Sequence, residues 1–301
     1  MDRKGTRMKK GNCKVPVNRI IPFSAVDGPG NRTAVFLQGC NLDCKYCHNP
    51  ETRALCIHCG ACVGKCPAGA LSIVQEPSGA MGANKSRVVF DPAKCVACDT
   101  CIHTCKHDAS PRIQWMNADE VLAEIQKQMP FIRGVTVSGG ECMLYPEFLT
   151  ELFGKCRALG LNTLIDSNGI VDFSLYPDLL AVTDGVMLDI KAFREEDHVR
   201  VTGSTNETVL QNAAFLAGED KLYEIRTVVV RELFDPAEVI VSIAEFLRPF
   251  TDIGRLRYKL IAFRPFGVRE QYQIYESPDA SYMQQLRLVA LQAGFKDIVI
   301  I

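Results

Sequence analysis

Thr33-Ala34-Val35-Phe36-Leu37-Gln38-Gly39-Cys40-Asn41-Leu42-Asp43-Cys44-Lys45-Tyr46-Cys47 is the stretch from which the rest of the chain is read. Thr33 to Gln38 is a short β-branched and aromatic run of strand character, broken by Gly39. Three cysteines follow at once in C-x3-C-x2-C spacing, with no obvious fourth cysteine of their own. Two chemistries suit three thiols at a strand end. One is a structural zinc site completed by His48; the other is a [4Fe–4S] cluster whose fourth iron stays open to an outside ligand.

Downstream, Cys56-Ile57-His58-Cys59-Gly60-Ala61-Cys62-Val63-Gly64-Lys65-Cys66-Pro67 has the C-x2-C-x2-C-x3-C-P form of a bacterial ferredoxin run. Cys95, Cys98, Cys101 and Cys105 repeat the spacing, with Lys106 in the proline position. In two-cluster ferredoxins the fourth cysteine of each run crosses to the other cluster. The expected sets are Cys56, Cys59, Cys62 and Cys105 for one [4Fe–4S] cluster, and Cys66, Cys95, Cys98 and Cys101 for another. A pair of zinc sites is the competing reading, although four ligands at this spacing, occurring twice, are more cluster-like. His58, His103 and His107 are surplus to both sets, and Cys13, Cys142 and Cys156 remain unassigned, Cys156 reading as a buried small hydrophobe.

The wider composition agrees. The chain has 301 residues, 47% hydrophobic and 23% charged, and its 34 basic against 35 acidic side chains leave a net charge of -1. That describes a globular protein and gives no general electrostatic reason for a nucleic-acid or membrane partner. No apolar run approaches the roughly 18 residues of a membrane span. The basic stretch Met1 to Lys14 is followed by Asn18 and Arg19 before a signal-peptide core can form, so a cytoplasmic location is expected. Eleven of the 14 cysteines lie between Cys40 and Cys105. A local excess in a chain of this length points to metal ligation instead of a secreted disulfide scaffold.

With residues 51–112 set aside, strand-like runs alternate with helical patterns. The strands expected are Thr33 to Gln38, Val135 to Ser138, Thr163 to Asp166, Gly185 to Ile190, Glu224 to Val230 and Arg257 to Phe263. Helices are expected over Ala118 to Met129, capped by Asn117 with Glu120, and over Tyr145 to Leu159, closed by Gly160. Three more fall near Thr208 to Leu216, Pro236 to Phe246 and Ser281 to Ala293. Such alternation predicts parallel strands with crossover helices, and six units are too few for a closed barrel. The fold class is therefore α/β: an open, partial (β/α)6 TIM-like barrel formed by residues 1–50 and 113–301, with a ferredoxin-like two-cluster insert at 51–112. Cys40, Ser138 to Glu141, Asp166 to Gly169, Asp189 to Lys191 and Phe263 to Gly267 all sit at carboxyl ends of strands, the face on which barrel enzymes place their sites.

The triad, with Tyr46 as the aromatic before its last cysteine, resembles the C-x3-C-x-aromatic-C motif of the radical S-adenosylmethionine (SAM) superfamily. Asp27-Gly28-Pro29-Gly30-Asn31-Arg32, Val35 to Cys40 and Tyr46-Cys47-His48-Asn49-Pro50 resemble the activating enzymes of glycyl radical enzymes, in their subgroup with a two-cluster insert. Ile20 to Ser24 with Leu37 to Cys40 is most similar to the YjjW-type activases. The resemblance implies that Cys40, Cys44 and Cys47 hold a SAM-binding [4Fe–4S] cluster. It also implies SAM contacts from Tyr46, Gly139, Gly140, Glu141, Asp189, Lys191 and Arg226, and from Arg264 where the family has histidine. Cys142 stands where the family usually has proline. Asp166, Ser167, Met187 and Asp189 match a monovalent cation site, and Asp27 is expected to serve the peptide substrate or active site.

The activity so implied is reductive cleavage of SAM to a 5′-deoxyadenosyl radical that takes hydrogen from a glycine of a partner glycyl radical enzyme, with flavodoxin or ferredoxin as reductant. The insert then relays electrons or docks a partner. A maturase acting on another protein side chain, or a SAM-binding electron-transfer protein, are the alternatives. Maturases usually carry extra clusters toward the C-terminus, where only Cys142 and Cys156 remain here.

Overall fold

The computed structural model describes residues 13–76 and 85–301. The basic Met1 to Lys14 stretch therefore falls almost wholly outside the described residues, as do residues 77–84 of the cysteine-rich segment.

Strands are β1 (Val15–Ser24), β2 (Arg32–Leu37), β3 (Leu71–Glu76), β4 (Lys85–Phe90), β5 (Gln114–Met116), β6 (Gly134–Gly139), β7 (Asn162–Ser167), β8 (Gly185–Asp189), β9 (Leu222–Val229), β10 (Arg257–Ala262) and β11 (Asp297–Ile300). Helices are α1 (Thr100–Thr104), α2 (Ala118–Gln126), α3 (Pro146–Ala158), α4 (Pro177–Ala181), α5 (Glu195–Thr202), α6 (Glu207–Gly218), α7 (Pro236–Leu247) and α8 (Ala280–Ala293).

Nine strands form one sheet in the order β11-β10-β9-β8-β7-β6-β2-β1-β5. From β2 to β11 every neighbour is parallel and follows in chain order. β1 and β5 extend the β2 edge antiparallel. All six strands read from the sequence are present, and β2 is buried along almost its whole length, as a strand covered on both faces must be.

The sheet is curled. β2 and β10 are five positions apart, about 24 Å on a flat sheet. Yet Lys259 Nζ on β10 lies 3.3 Å from the Val26 carbonyl in the loop entering β2. At the other end of the strands, His48 Nε2 is 2.9 Å from the Arg264 carbonyl.

Local chemistry sets the helix ends. Asn117 and Glu120 form the expected reciprocal cap of α2. Pro146 opens α3 at its first position, and Gly160 follows its end with φ +76°. α4 and α5 are additions to the helices that periodicity predicts. α4 is one short turn, and α5 reads Glu-Glu-Asp-His-Val-Arg-Val-Thr with no apolar stripe; it buries only His198, Val201 and Thr202. Its carboxyl end holds up the triad loop, with the Asp43 and Lys45 amides donating to the Thr202 and Val201 carbonyls at 2.9 Å each.

Between Ala54 and Ala109 the chain leaves the sheet. A parallel bridge joins those two residues at the neck. The excursion contains the antiparallel β3–β4 pair and a small core of Cys62, Leu71, Val88 and Cys101, separate from the main one.

Candidate active site at the strand ends

Cys40, Cys44 and Cys47 follow β2 directly, on a loop anchored from both sides. The Gly39 and Cys40 amides donate to the Thr52 and Arg53 carbonyls at 2.8 Å. Leu42 N lies 3.4 Å from Cys40 Sγ, and Asn168 Nδ2 reaches the same sulfur at 3.7 Å. Burial pushes the Cys40 thiol up to about 11 and the Cys44 thiol up to about 12, and raises Cys47 as well. Each thiol is further raised by another member of the triad or, for Cys47, by Glu51, so the pocket disfavours three bare thiolates and calls for a cationic centre among them.

Lys191 faces that centre. Its Nζ pairs with Asp189 at 2.8 Å and stands 5.9 Å from the Tyr46 ring centroid. Burial alone would lower its pKa, but Asp189, Cys44 and Tyr46 hold it well above the usual value. The Tyr46 hydroxyl is buried without a hydrogen-bond partner, in the residue whose ring Lys191 faces.

Glu141 is 1% exposed and is held by the ends of two strands. Its carboxylate accepts from Met143 N and Ser167 Oγ at 2.9 Å and from Asn168 N at 2.7 Å. Burial nevertheless raises its pKa to about 7. Gly139 and Gly140 let β6 approach β2. A Cβ on Gly140 would meet Gly39 O at 2.2 Å and Thr52 O at 2.8 Å, and Gly139 has φ +124°. No other residue fits that contact.

Arg226 lies on the concave side below this rim. Nη1 pairs with Asp166 at 2.8 Å, Nε with Glu224 at 2.5 Å, and Nη2 is 2.9 Å from Met187 Sδ. The guanidinium thus stands among Asp166 and Met187, where the sequence resemblance implies a monovalent cation, while Ser167 turns to Glu141. Glu224 is fully buried, takes Lys259 on the same oxygen at 3.1 Å, and leaves Oε2 unpartnered. Asp27 is not brought to the rim. It sits in the loop at the amino end of β2, where its carboxylate accepts from Ser24 Oγ at 2.5 Å and its carbonyl from Thr136 Oγ1 at 2.5 Å. Arg264 is exposed, and the contact there is the His48 clasp on its carbonyl.

In the excursion the two cysteine runs repeat in structure. His58 N lies 3.4 Å from Cys56 Sγ and Ala97 N lies 3.4 Å from Cys95 Sγ, with His58 and Ala97 both left-handed at φ 60° and 53°. The same two-residue amide-to-sulfur contact occurs at Cys40. Cys66, Cys95, Cys98 and Cys101 line one cavity with Arg112. Cys56 senses Cys105 and Cys59 electrostatically, and Cys62 senses Cys101, Cys56 and Cys105, so the two runs lie close together. Among the described residues, no three His, Cys, Asp or Glu side chains converge tightly enough to hold a single ion.

Of the leftover cysteines, Cys142 is buried and its thiol donates to the Asp166 carbonyl at 3.3 Å, and Cys156 is buried in the main core. Sequence reasoning missed Asn168 as a neighbour of the triad, although it stands in the conspicuous Asp-Ser-Asn-Gly turn. It also missed Arg53, Asp43, Asp108 and Arg269, which carry no motif.

Comparison with known proteins places this site. The profile of the Radical SAM superfamily matches residues 34–235, from β2 to the start of α7, and the chain belongs to that superfamily. Within it, the chain belongs to the family of glycyl-radical-enzyme activating enzymes. It is 34% identical over 312 aligned positions to the indoleacetate decarboxylase activating enzyme of Tractidigestivibacter scatoligenes, covering 96% of this chain and 98% of that one. It is 31% identical over 278 positions to the choline trimethylamine-lyase activating enzyme of Oleidesulfovibrio alaskensis, covering 87% of each. Among solved structures, QueE from Escherichia coli superposes with a TM-score of 0.54 over 96% of this chain and 94% of its own, at 15% identity, a likeness of fold alone. Among the described residues no helix is long and apolar enough to cross a membrane.

Proposed function

We propose that this enzyme binds SAM at the Cys40, Cys44 and Cys47 rim and generates a glycyl radical on a partner protein. The carrying observation is the buried triad with Lys191, the orphaned Tyr46 hydroxyl and Glu141 around it, in a chain of this family. The thiols fit a cubane cluster. They are close enough to perturb one another, they are raised by burial, and Cys40 accepts an amide as a thiolate ligand does. Cys40, Cys44 and Cys47 would hold a [4Fe–4S] cluster there, which would pass one electron from the external reductant to the SAM sulfonium, releasing methionine and a 5′-deoxyadenosyl radical able to take hydrogen from a glycine Cα.

The protein's own groups do the positioning. Gly139 and Gly140 leave room at the end of β6, Glu141 receives the SAM ammonium, and Lys191 with Asp189 orients the methionyl and ribose region. Arg226 keeps two N–H groups uncommitted for the SAM carboxylate, and Arg264 stands at the outer edge. The Arg226 guanidinium also supplies positive charge to Asp166 and Met187, two of the four residues that match the monovalent cation site. The curled sheet serves as the open (β/α)6 barrel, and the excursion as a ferredoxin-like unit holding two further clusters in the crossed cysteine sets. Flavodoxin or ferredoxin is the reductant class.

The test is anaerobic reconstitution, followed by dithionite and SAM. 5′-Deoxyadenosine should appear, and a glycyl doublet should appear by electron paramagnetic resonance (EPR) on the partner enzyme. Iron without SAM cleavage would favour an electron-transfer protein instead.

A further inference from the structure

Asp43 and Asp108 are each shared by two arginines. Arg269 Nη1 lies 2.6 Å from Asp43 Oδ1 and 3.5 Å from Asp108 Oδ2. Arg53 Nη2 lies 2.7 Å from Asp108 Oδ2, and Nη1 lies 3.5 Å from Asp43 Oδ1. Two cations and two anions close a neutral ring drawn from three parts of the chain. Asp43 is inside the triad loop, Arg53 and Asp108 flank the neck of the excursion, and Arg269 belongs to the segment after β10.

Arg269 does more than pair charges. Its Nη2 donates to the Cys44 carbonyl at 3.0 Å and lies 3.3 Å from the Asp43 carbonyl, and its guanidinium stands 4.9 Å from the Tyr272 ring centroid. Its side chain is 12% exposed, and its Nε is buried without a partner. An exposed ion pair is worth little, but a guanidinium fork held over a ring and against backbone carbonyls is preorganised.

We propose that this ring seats the Cys44 segment against the excursion and that Arg269 is a positioning residue that sets the reduction potential of the cluster at the triad. The inference rests on the cluster reading above. Removing Arg269 leaves Asp43 and Asp108 against Arg53 alone, a net negative charge beside the thiols that opposes electron uptake. Removing the Asp43 charge leaves a net positive one that favours it. Opposite shifts are the signature of charge; mere loosening of the loop has no reason to produce them.

The test uses the reconstituted full-length holoenzyme and an EPR-monitored redox titration of the signal that SAM perturbs, for wild type, R269Q, R269K and D43N. R269Q is expected to lower the reduction equilibrium about tenfold, or 59 mV for one electron. That is the Coulomb effect of a unit charge about 10 Å away at an effective dielectric near 20. D43N should raise the equilibrium, and R269K should stay within about twofold of wild type while losing iron faster to a chelator. The proposal is overturned if R269Q and D43N shift in the same direction, if neither moves by more than twofold, or if R269K matches R269Q. Failure of the cluster reading is separate: iron content unchanged on replacing Cys40 with serine would refute that reading before any potential is measured.

Discussion

Raising the pH from 5.5 to 7.5 is expected to tighten SAM binding about 25-fold through one carboxyl, Glu141. Its pKa is raised to about 7 by burial, against the hydrogen bonds from Asn168 N, Met143 N and Ser167 Oγ that favour the anion. A SAM ammonium requires the ionised form. With a pKa near 7 about 3% of the carboxyl is ionised at pH 5.5 and about 76% at pH 7.5, a ratio of roughly 25, or about 1.9 kcal/mol. The SAM carboxylate titrates below this range, and an α-amino group of pKa about 7.7–8.0 is still mostly protonated at pH 7.5, which trims the gain by less than a factor of two.

The same shift acts on folding with the opposite sense. The folded state holds the Glu141 proton to higher pH than the unfolded chain does, so SAM-free stability is greatest below the ordinary carboxyl value of 4.5 and declines as pH rises through about 7. The assay is equilibrium dialysis of labelled SAM against the oxidised, reconstituted enzyme, where no turnover occurs, in parallel with E141Q. The E141Q variant is expected to bind SAM weakly with a flat pH profile. Affinity varying less than threefold in wild type, or an E141Q profile that tracks wild type, would refute the reasoning.

Replacing Cys105 with serine should lower iron from about 12 to about 8 atoms per chain if, as proposed, that sulfur completes the set of Cys56, Cys59 and Cys62; metal analysis after desalting reads it. Gly140→Ala should destabilise by about 3 kcal/mol or more, since its Cβ would meet backbone atoms of Gly39 and Thr52 that have no rotamer to move to; a thermal melt or loss of soluble protein checks it. Exchanging potassium for a large organic cation should leave wild-type SAM affinity within about twofold, because Arg226 already stands among Asp166, Met187 and Glu224. R226Q should be less stable by about 3 kcal/mol, and potassium should recover part of that loss, because its buried acids lose their cation.

What was legible in the sequence was what local rules govern. The β-branched runs at Thr33 and Thr163, the Asn117–Glu120 cap and the Gly160 stop each carry their own signal, and each marks an element boundary to within a residue or two. Strand-end motifs located Glu141, Asp189 and Lys191 because parallel strands deliver their carboxyl ends to one rim. α5 was illegible because its buried residues are a histidine, a valine and a threonine in a charged run, and its role is to offer two carbonyls to the triad loop. The Arg269 ring was illegible for a stronger reason. Arg269 and Asp43 are 226 residues apart, and only the curl of the sheet brings them together. Asp27 shows the converse: a motif located it, but motif and register together do not say to which end of the strands a hairpin loop delivers its side chain.

The charge arrangement of the concave side explains why a fold normally filled with branched apolar side chains is polar here. Asp166, Asp189 and Glu224 face Lys191, Arg226 and Lys259, three acids against three bases joined by contacts of 2.5 to 3.1 Å. Ion pairs this deep stabilise little in themselves, because desolvation offsets their attraction. Their effect is on binding. On the proposed reading, a neutral, preformed array lets a sulfonium ligand with its own ammonium and carboxylate enter by rearranging existing pairs, with Arg226 meeting the carboxylate and Glu141 the ammonium. An apolar lumen would have to desolvate the same three charges with nothing to receive them. Glu224 Oε2, buried and bare, is the one place among the described residues where that array is incomplete, and it lies directly beside the guanidinium that would have to move.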